Sequence, residues 1–420
     1  MKKILYGISL SRRTIFNLLL GSLMFLVAAG LSDLNAQDEN KSWLQIYGFA
    51  MTDVGYNANQ IDPAWFDVVR PTKLPTMENQ FGTDGNAYFS VRQTRFGTKS
   101  GVQTDLGELF VQLEWELFGT GVDAGQTTIR LRHAYGELGQ FGVGQYWSPF
   151  MDIDVFPNSV EYWGPTGMAF FRNVQIRWMP IKGDSRMTIA LERPGASADQ
   201  GTFADRVELG DVNPRFPVPD LSAEYRHGSS WGYVELAGIV RYMKWEDLGQ
   251  QPFDLSGDAV GWGLNLSSNI KLFKNDVLRL SVLTGEGVQN YMNDAPVDVG
   301  IKTTGDPDKP IEGIALPLMG IVAFFEHSWS DKFATAIGYS MIDIDNSDGQ
   351  NYDAFKKGQY ALGNIIYYPV PDAMMVAELQ WGNRENFGEP VSPIEGYLKT
   401  ADILKVQFSF KYNFSHKFIF

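Results

Sequence analysis

The sequence predicts an all-β protein: a transmembrane antiparallel β-barrel of about sixteen strands, with one loop folded inward as a constriction. Three observations lead there. The chain closes on a strictly alternating segment in which Val406, Phe408, Phe410, Tyr412 and Phe414 share one parity and Lys405, Gln407, Ser409, Lys411 and Asn413 share the other. That is the period of a strand with one apolar and one polar face. The N-terminus has the pattern of an export signal. Beyond it, no run reaches the roughly 18 consecutive apolar residues of a membrane helix. An aromatic strand of this kind needs both edges paired and an apolar medium against its outer face. A closed barrel in lipid meets both needs, because closure satisfies every backbone polar group.

The signal comes first in the chain. Lys2, Lys3, Arg12 and Arg13 precede an apolar run, Ile15 to Ala29, and small Ala36 stands before Gln37. Residues 1–36 therefore read as a signal peptide and 37–420 as a single transmembrane barrel domain. Four basic residues and Asp33 leave with the signal, so the formal charge moves from −14 to −17. An acidic chain lacks the basic face that a nucleic-acid partner requires. With no cysteine there is no disulfide framework and no thiolate chemistry.

Alternating segments fall near 43–56, 87–98, 107–118, 128–137, 140–147, 170–179, 185–193, 221–227, 232–244, 259–270, 277–285, 319–329, 333–342, 358–368, 373–381 and 402–414. In the third, Leu109, Val111, Leu113, Trp115 and Leu117 oppose Glu108, Gln112, Glu114 and Glu116; in the sixth, Val174, Ile176 and Trp178 oppose Asn173, Gln175 and Arg177. Tight turns such as Glu137 to Gln140 and Lys274 to Asp276 interleave with long polar stretches such as 57–86, 194–220, 286–318 and 382–401. Short turns are expected on the periplasmic side and long loops outside. An even count lets the first strand pair with the last, so Lys405–Phe414 closes the sheet with its aromatic parity in lipid. Ser415–Phe420 are expected to run past this strand, Phe420 resembling the terminal aromatic signal of outer-membrane barrels. Sixteen strands leave a lumen wide enough for water, and Gly, Ser, Asn, Gln, Glu and Arg at inward positions make it polar: a pore.

Arginines gather in the first half of the chain. Arg92, Arg95, Arg130, Arg132, Arg172, Arg177, Arg186 and Arg193 are all assigned to strands, and Arg130 and Arg132 share the parity opposite Ile129 and Leu131. An arginine facing lipid at the midplane costs roughly 2 to 4 kcal/mol, so these side chains are expected to point inward. There they can neutralise carboxylates such as Glu108, Glu114, Glu116 and Glu192, and as a group favour anions. Between the fifth and sixth strands, Tyr146–Gly167 carries Pro149, Pro157 and Pro165 beside Phe150, Phe156, Tyr162 and Trp163. Aromatics in that number need a surface to pack on, which folding inward along the wall supplies. The constriction loop is placed at about 148–169, its carboxylates Asp152, Asp154 and Glu161 facing the arginine wall.

The runs VRQTRFGTKSG (Val91–Gly101), IRLRHAYGELGQFGVGQYWSPFMDIDVFPNSVEYWGPTG (Ile129–Gly167) and FFRNVQIRW (Phe170–Trp178) resemble the DcaP-like porins of Gram-negative outer membranes. The resemblance implies a homotrimer of sixteen-stranded barrels, in a bilayer faced with lipopolysaccharide, passing small anionic solutes such as dicarboxylates. By position it implies pore-lining roles for Arg92, Arg95, Arg130, Arg132 and Arg172, and a constriction role for the loop bearing Asp152 and Asp154. Some relatives carry an N-terminal periplasmic coiled coil, for which Gln37–Ser42 leave no room. For the trimer contact, Gly142, Val143 and Gly144 are expected to offer a flat lipid-side surface.

Other signals are weaker. His133, His227, His327 and His416 are scattered, without ligand spacing, and neither a cofactor nor a metal is expected. Asp343, Asp345, Asp348 and Asp353 are dense enough for calcium, but Gly349 is displaced and no Glu closes the loop, so a solvated loop is the expectation. No G-x-S-x-G or Ser/His/Asp set supports catalysis. The alternative to a channel is a binding or adhesion barrel whose long loops capture a carbohydrate or partner, suggested by Trp65, Phe66, Trp381 and Phe387.

Overall fold

The structure, a computed structural model, describes residues 42–249 and 254–420; the expected signal segment lies outside them. The first eight strands are β1 (Trp43–Asn57), β2 in two pieces (Asn86–Ser90 and Arg95–Thr104), β3 (Gly107–Phe118), β4 (Thr127–Leu138), β5 (Phe141–Trp147), β6 (Arg172–Ile181), β7 (Arg186–Glu192) and β8 (Asp220–Ser229). The second eight are β9 (Gly232–Asp247), β10 (Gly257–Phe273), β11 (Asp276–Glu286), β12 (Pro317–Ser330), β13 (Phe333–Ile344), β14 (Phe355–Val370), β15 (Ala373–Asn386) and β16 (Thr400–Ile419). Each pairs antiparallel with its chain neighbours. β1 closes the sheet, matching Trp43↔Ile419 through Asn57↔Lys405 on one edge and Trp43↔Gly101 through Phe49↔Arg95 on the other. The barrel is thereby closed, and one short extra strand, Val212–Arg215, adds to the loop-side end of β9 at Lys244–Asp247. Seven connections are turns of two to four residues and eight are longer. All short turns, and both ends of the barrel chain, fall at one end of the barrel.

Polarity is inverted relative to a protein folded for water. On β16, Lys405 is 0% exposed and Gln407 and Ser409 are buried, whereas Val406, Phe408 at 50% and Phe410 are exposed. Gln112, Glu114 and Glu116 of β3 are buried while Leu109 and Val111 face out. A continuous outer surface of Val, Leu, Ile, Phe and Trp is stable only against hydrocarbon. The apolar clusters inside lie where loops meet inward-facing strand residues. Phe150 and Met151 pack with Ile239, Leu283, Leu318 and Ile342, and Val155 and Met168 with Val69, Leu74, Tyr360 and Ile403.

Three details differ from the sequence reading. β2 breaks at Val91–Thr94, and there Arg92 and Gln93, adjacent in sequence, are both buried. A regular strand sends neighbours to opposite faces, so the irregularity turns two consecutive side chains inward. β16 runs on to Ile419, with the Phe420 N–H donating to the Ser42 carbonyl, so the terminal residues belong to the ladder. The stretch 286–318 contains a hairpin, Val299–Asp306 with Lys309–Ala315.

The glycines of β5 do not form a flat outer surface. Gly142 is buried, and a Cβ there would stand 1.9 Å from the Tyr135 hydroxyl, while Gly144 has φ +122° and a Cβ would meet the Ala134 carbonyl oxygen at 2.1 Å. Only Phe141 and Val143 face lipid. These glycines admit an inward tyrosine and an unusual backbone, so they carry no argument for a subunit contact.

Candidate functional site

β3 places Glu114 and Glu116 two residues apart on its inward face, and the registers with β2 and β4 bring arginines alongside: Arg95↔Glu116 and Glu116↔Arg130. An irregularity between Glu114 and Trp115 lets Arg132 reach both carboxylates. Its Nε donates to Glu114 at 2.7 Å and its Nη1 to Glu116 at 2.6 Å. Arg130 donates to Glu116 through Nη2 at 2.5 Å, and Arg95 does so at 3.3 Å. The Glu116 side chain is 0% exposed beneath them. Arg172, at the start of β6, lies over Trp147 with its guanidinium carbon 5.1 Å from the ring centroid. Four guanidinia thus gather over two carboxylates, a formal surplus of two positive charges.

Tyr162 sits among them. Its hydroxyl is bonded to Glu116 and accepts from Arg130 at 2.5 Å, and its ring stacks on Phe118 with centroids 3.9 Å apart. Two cavities meet at this residue. The one toward the long loops, about 370 Å³, is lined by Arg130, Arg172, Trp163 and Asn290. The one toward the short turns, about 350 Å³, is lined by Arg95, Arg132, Trp147 and Lys411. Tyr162 and Phe170 line both.

The segment from Ser148 to Phe171 is held by inward side chains around the wall. Asp152 accepts from Arg226 Nη2 at 2.7 Å, Tyr233 Oη at 2.6 Å and Ser267 Oγ at 2.6 Å. Asn158 N–H donates to Glu326 at 2.6 Å, Ser159 Oγ to Glu378 at 2.9 Å, and the Val160 carbonyl accepts from Gln93 and Gln407. Glu161 accepts three backbone N–H bonds, from Val69, Trp163 and Gly164, at 2.6, 2.6 and 2.9 Å. Burial nevertheless pushes its carboxyl up to about 7.

The expected residues therefore separate into groups. Arg95, Arg130, Arg132 and Arg172 come together. Arg92, 1% exposed, is sealed against Asp67 at 2.7 Å and the Gly119 carbonyl at 3.0 Å. Arg177 lies apart, bonded to Gln175 and the Trp147 carbonyl between the rings of Tyr135 and Tyr146. Asp152 and Asp154 pair with Arg226 rather than with the β3–β4 arginines, although the Asp154 side chain stays 45% exposed. In that second sector two guanidinia, Arg186 and Arg226, meet four carboxylates, Asp152, Asp154, Glu224 and Glu235. Sequence reasoning missed Arg226, Tyr233 and Asp67 as partners; the alternation over Asp220–Ser229, which puts Arg226 on the buried parity of Ser222 and Glu224, is the signal that could have found the first. Of the loop aromatics, Trp65 is buried in edge contact with Trp163 at 4.9 Å, Phe66 packs on Tyr88, and Trp381 donates to Asp402 at 3.0 Å. Each of these rings is in contact with the protein's own residues. Asp343 pairs with Lys356 at 3.7 Å.

A model of the DcaP outer membrane protein family matches residues 36–414. No curated protein matches the chain. Among solved structures, the outer membrane channel DcaP of Acinetobacter baumannii aligns with a TM-score of 0.71 at 18% identity, over 89% of this chain and 97% of that one. The anion-selective porin from Comamonas acidovorans aligns with a TM-score of 0.56 at 11% identity, over 89% and 100%. The trimer form of OmpT from Vibrio cholerae aligns at 0.54 and 12%, over 89% and 99%. These likenesses are of fold: closed antiparallel barrels of the outer membrane. The family match spans most of the residues described above, and the chain belongs to the DcaP outer membrane protein family.

Proposed function

We propose that the protein is a trimeric, water-filled diffusion channel of the outer membrane that favours small anionic solutes, with the 148–171 loop narrowing its lumen. The observation that carries this reading is the surplus of two positive charges at Arg95, Arg130, Arg132 and Arg172, set where the two cavities meet. An anion near those heads is attracted and a cation repelled, and the surplus of carboxylates around Arg226 adds a field across the path. The loop's bonds to inward residues from β8 to β16 support its role as the constriction. The A. baumannii channel and the anion-selective porin support conduction and sign, and the OmpT trimer form supports three copies. A lipid-facing exterior fits a bilayer whose outer leaflet carries lipopolysaccharide.

Proteoliposome swelling tests the reading. Potassium acetate, with valinomycin carrying the cation, should swell the vesicles faster than an uncharged sugar of similar size. Absence of swelling in every solute would overturn the channel, and equal rates would overturn the preference.

A further inference from the structure

The loop-side end of the molecule holds a cavity of another kind, away from the arginine wall. It measures about 310 Å³ and its lining is mostly apolar. Three stretches enclose it: the connection after β7, through Leu209, Val212 and Phe216; the end of β9, through Trp245; and the hairpin within 286–318, through Ile301 and Ile311. Leu209, Ile301 and Ile311 are buried together with Leu255, so the walls are packed before any guest arrives. Two glycines admit Trp245 among them: a Cβ at Gly257 or at Gly313 would stand 2.7 Å from its ring. Its Nε1 donates to the Leu255 carbonyl at 3.0 Å, which leaves carbon to face the cavity.

The bilayer does not fill this space. Val234, Leu236 and Val240 form the outward row of β9, and that row then turns to Lys244 and Glu246, paired at 3.2 Å, which belong in water. Trp245 lies on the other parity, directly opposite Pro214 of the short extra strand. An apolar hollow in an aqueous mouth favours apolar guests. Its charged lining residues already have partners within the protein: Asp199 accepts from Gly201 N–H at 2.8 Å and Gln350 Nε2 at 2.9 Å, Glu312 pairs with Lys302 at 2.8 Å, and Lys244 with Glu246. A guest therefore needs no charge. A peptide would bring backbone N–H and C=O groups that such walls leave unbonded, at a cost of desolvation. The volume is about twice the roughly 150 Å³ that holds one benzene ring in an apolar protein cavity.

We propose that this cavity is a binding site for small uncharged aromatic molecules of about two fused rings. Trp245 and Phe216 supply ring contact, and Leu209, Ile301 and Ile311 supply the apolar walls. The site is separate from the arginine wall and does not depend on which ion the channel prefers.

Fluorine NMR of 1-fluoronaphthalene, with the protein in lipid nanodiscs, tests the site. Val212→Trp, which fills the cavity, serves as the control for probe dissolved in lipid. The unmodified protein should broaden the resonance through a saturable component that folded Val212→Trp lacks. Phe216→Ala, losing one ring contact, should weaken that component about fivefold. Naphthalene should displace the probe, and 2-naphthoate should do so at least about tenfold less well, because its carboxylate would be buried without a partner. Crystals soaked with 2-bromonaphthalene should show the bromine anomalous peak between Trp245 and Ile311, a readout that needs no variant. An equal saturable component in folded Val212→Trp, bromine found only on the lipid-facing wall, or equal displacement by naphthoate would overturn the proposal.

Discussion

Replacing Arg130 by Gln removes one positive charge from the junction of the cavities without stranding a carboxylate. Glu116 keeps Arg132 at 2.6 Å and Arg95 at 3.3 Å, and the amide can still meet Tyr162. The surplus falls from two charges to one. For an ion passing about 6 Å from the missing head in a water-like medium, the Coulomb term is about 0.7 kcal/mol, roughly a threefold change in partitioning. The change has opposite signs for anion and cation, so the chloride-to-potassium permeability ratio should fall about tenfold at low salt. In about 1 M salt, with a Debye length near 3 Å, most of the difference should vanish. The assay is the zero-current potential across a tenfold potassium chloride gradient, on protein that still shows heat-modifiable gel migration. An unchanged potential at low salt in a folded Arg130→Gln channel would refute the claim that these heads act on passing ions.

Glu116→Gln should do the reverse for selectivity and cost stability: three guanidinia lose their shared carboxylate, a loss of about 3–5 kcal/mol for a buried pair, read as a lowered temperature of barrel unfolding on gels. Asp154→Asn, at the half-exposed carboxylate beside Arg226, should raise the anion ratio modestly in the same zero-current assay. Asp152→Asn removes an acceptor used by Arg226, Tyr233 and Ser267, so it should loosen the loop and add open-channel noise; a quiet trace would contradict that anchoring. Tyr162→Ala should raise single-channel conductance by joining the two cavities, and an unchanged conductance would place the neck elsewhere.

The barrel was legible because each strand needs only its own residues to show a period of two, and lipid outside with polar contents inside makes that period nearly uninterrupted. Lys405 and Phe408 fall on opposite faces by counting alone. The inward arginines were legible for the same reason. Their pairing was not: Arg132 reaches Glu116 through an irregular register, and Asp152 finds Arg226 seventy-four positions away, distances that parity does not encode. Arg92 was misplaced in a regular strand because neither the break at Val91–Thr94 nor the loop residue Asp67 that takes its guanidinium shows in the alternation of its own segment. The place of Tyr162 between the two cavities was equally hidden, since its stacking on Phe118 joins a loop to a strand end.

The central claim is a water-filled path whose narrowest charged part carries surplus positive charge. The zero-current potential of the unmodified channel between about 10 mM and about 100 mM potassium chloride, where the Debye length is roughly 10 Å or more, tests it most directly. The account predicts a potential of the sign set by chloride, shrinking when both sides are raised toward molar salt. A potential of the sign set by potassium, or no ohmic conductance from folded protein, would contradict it.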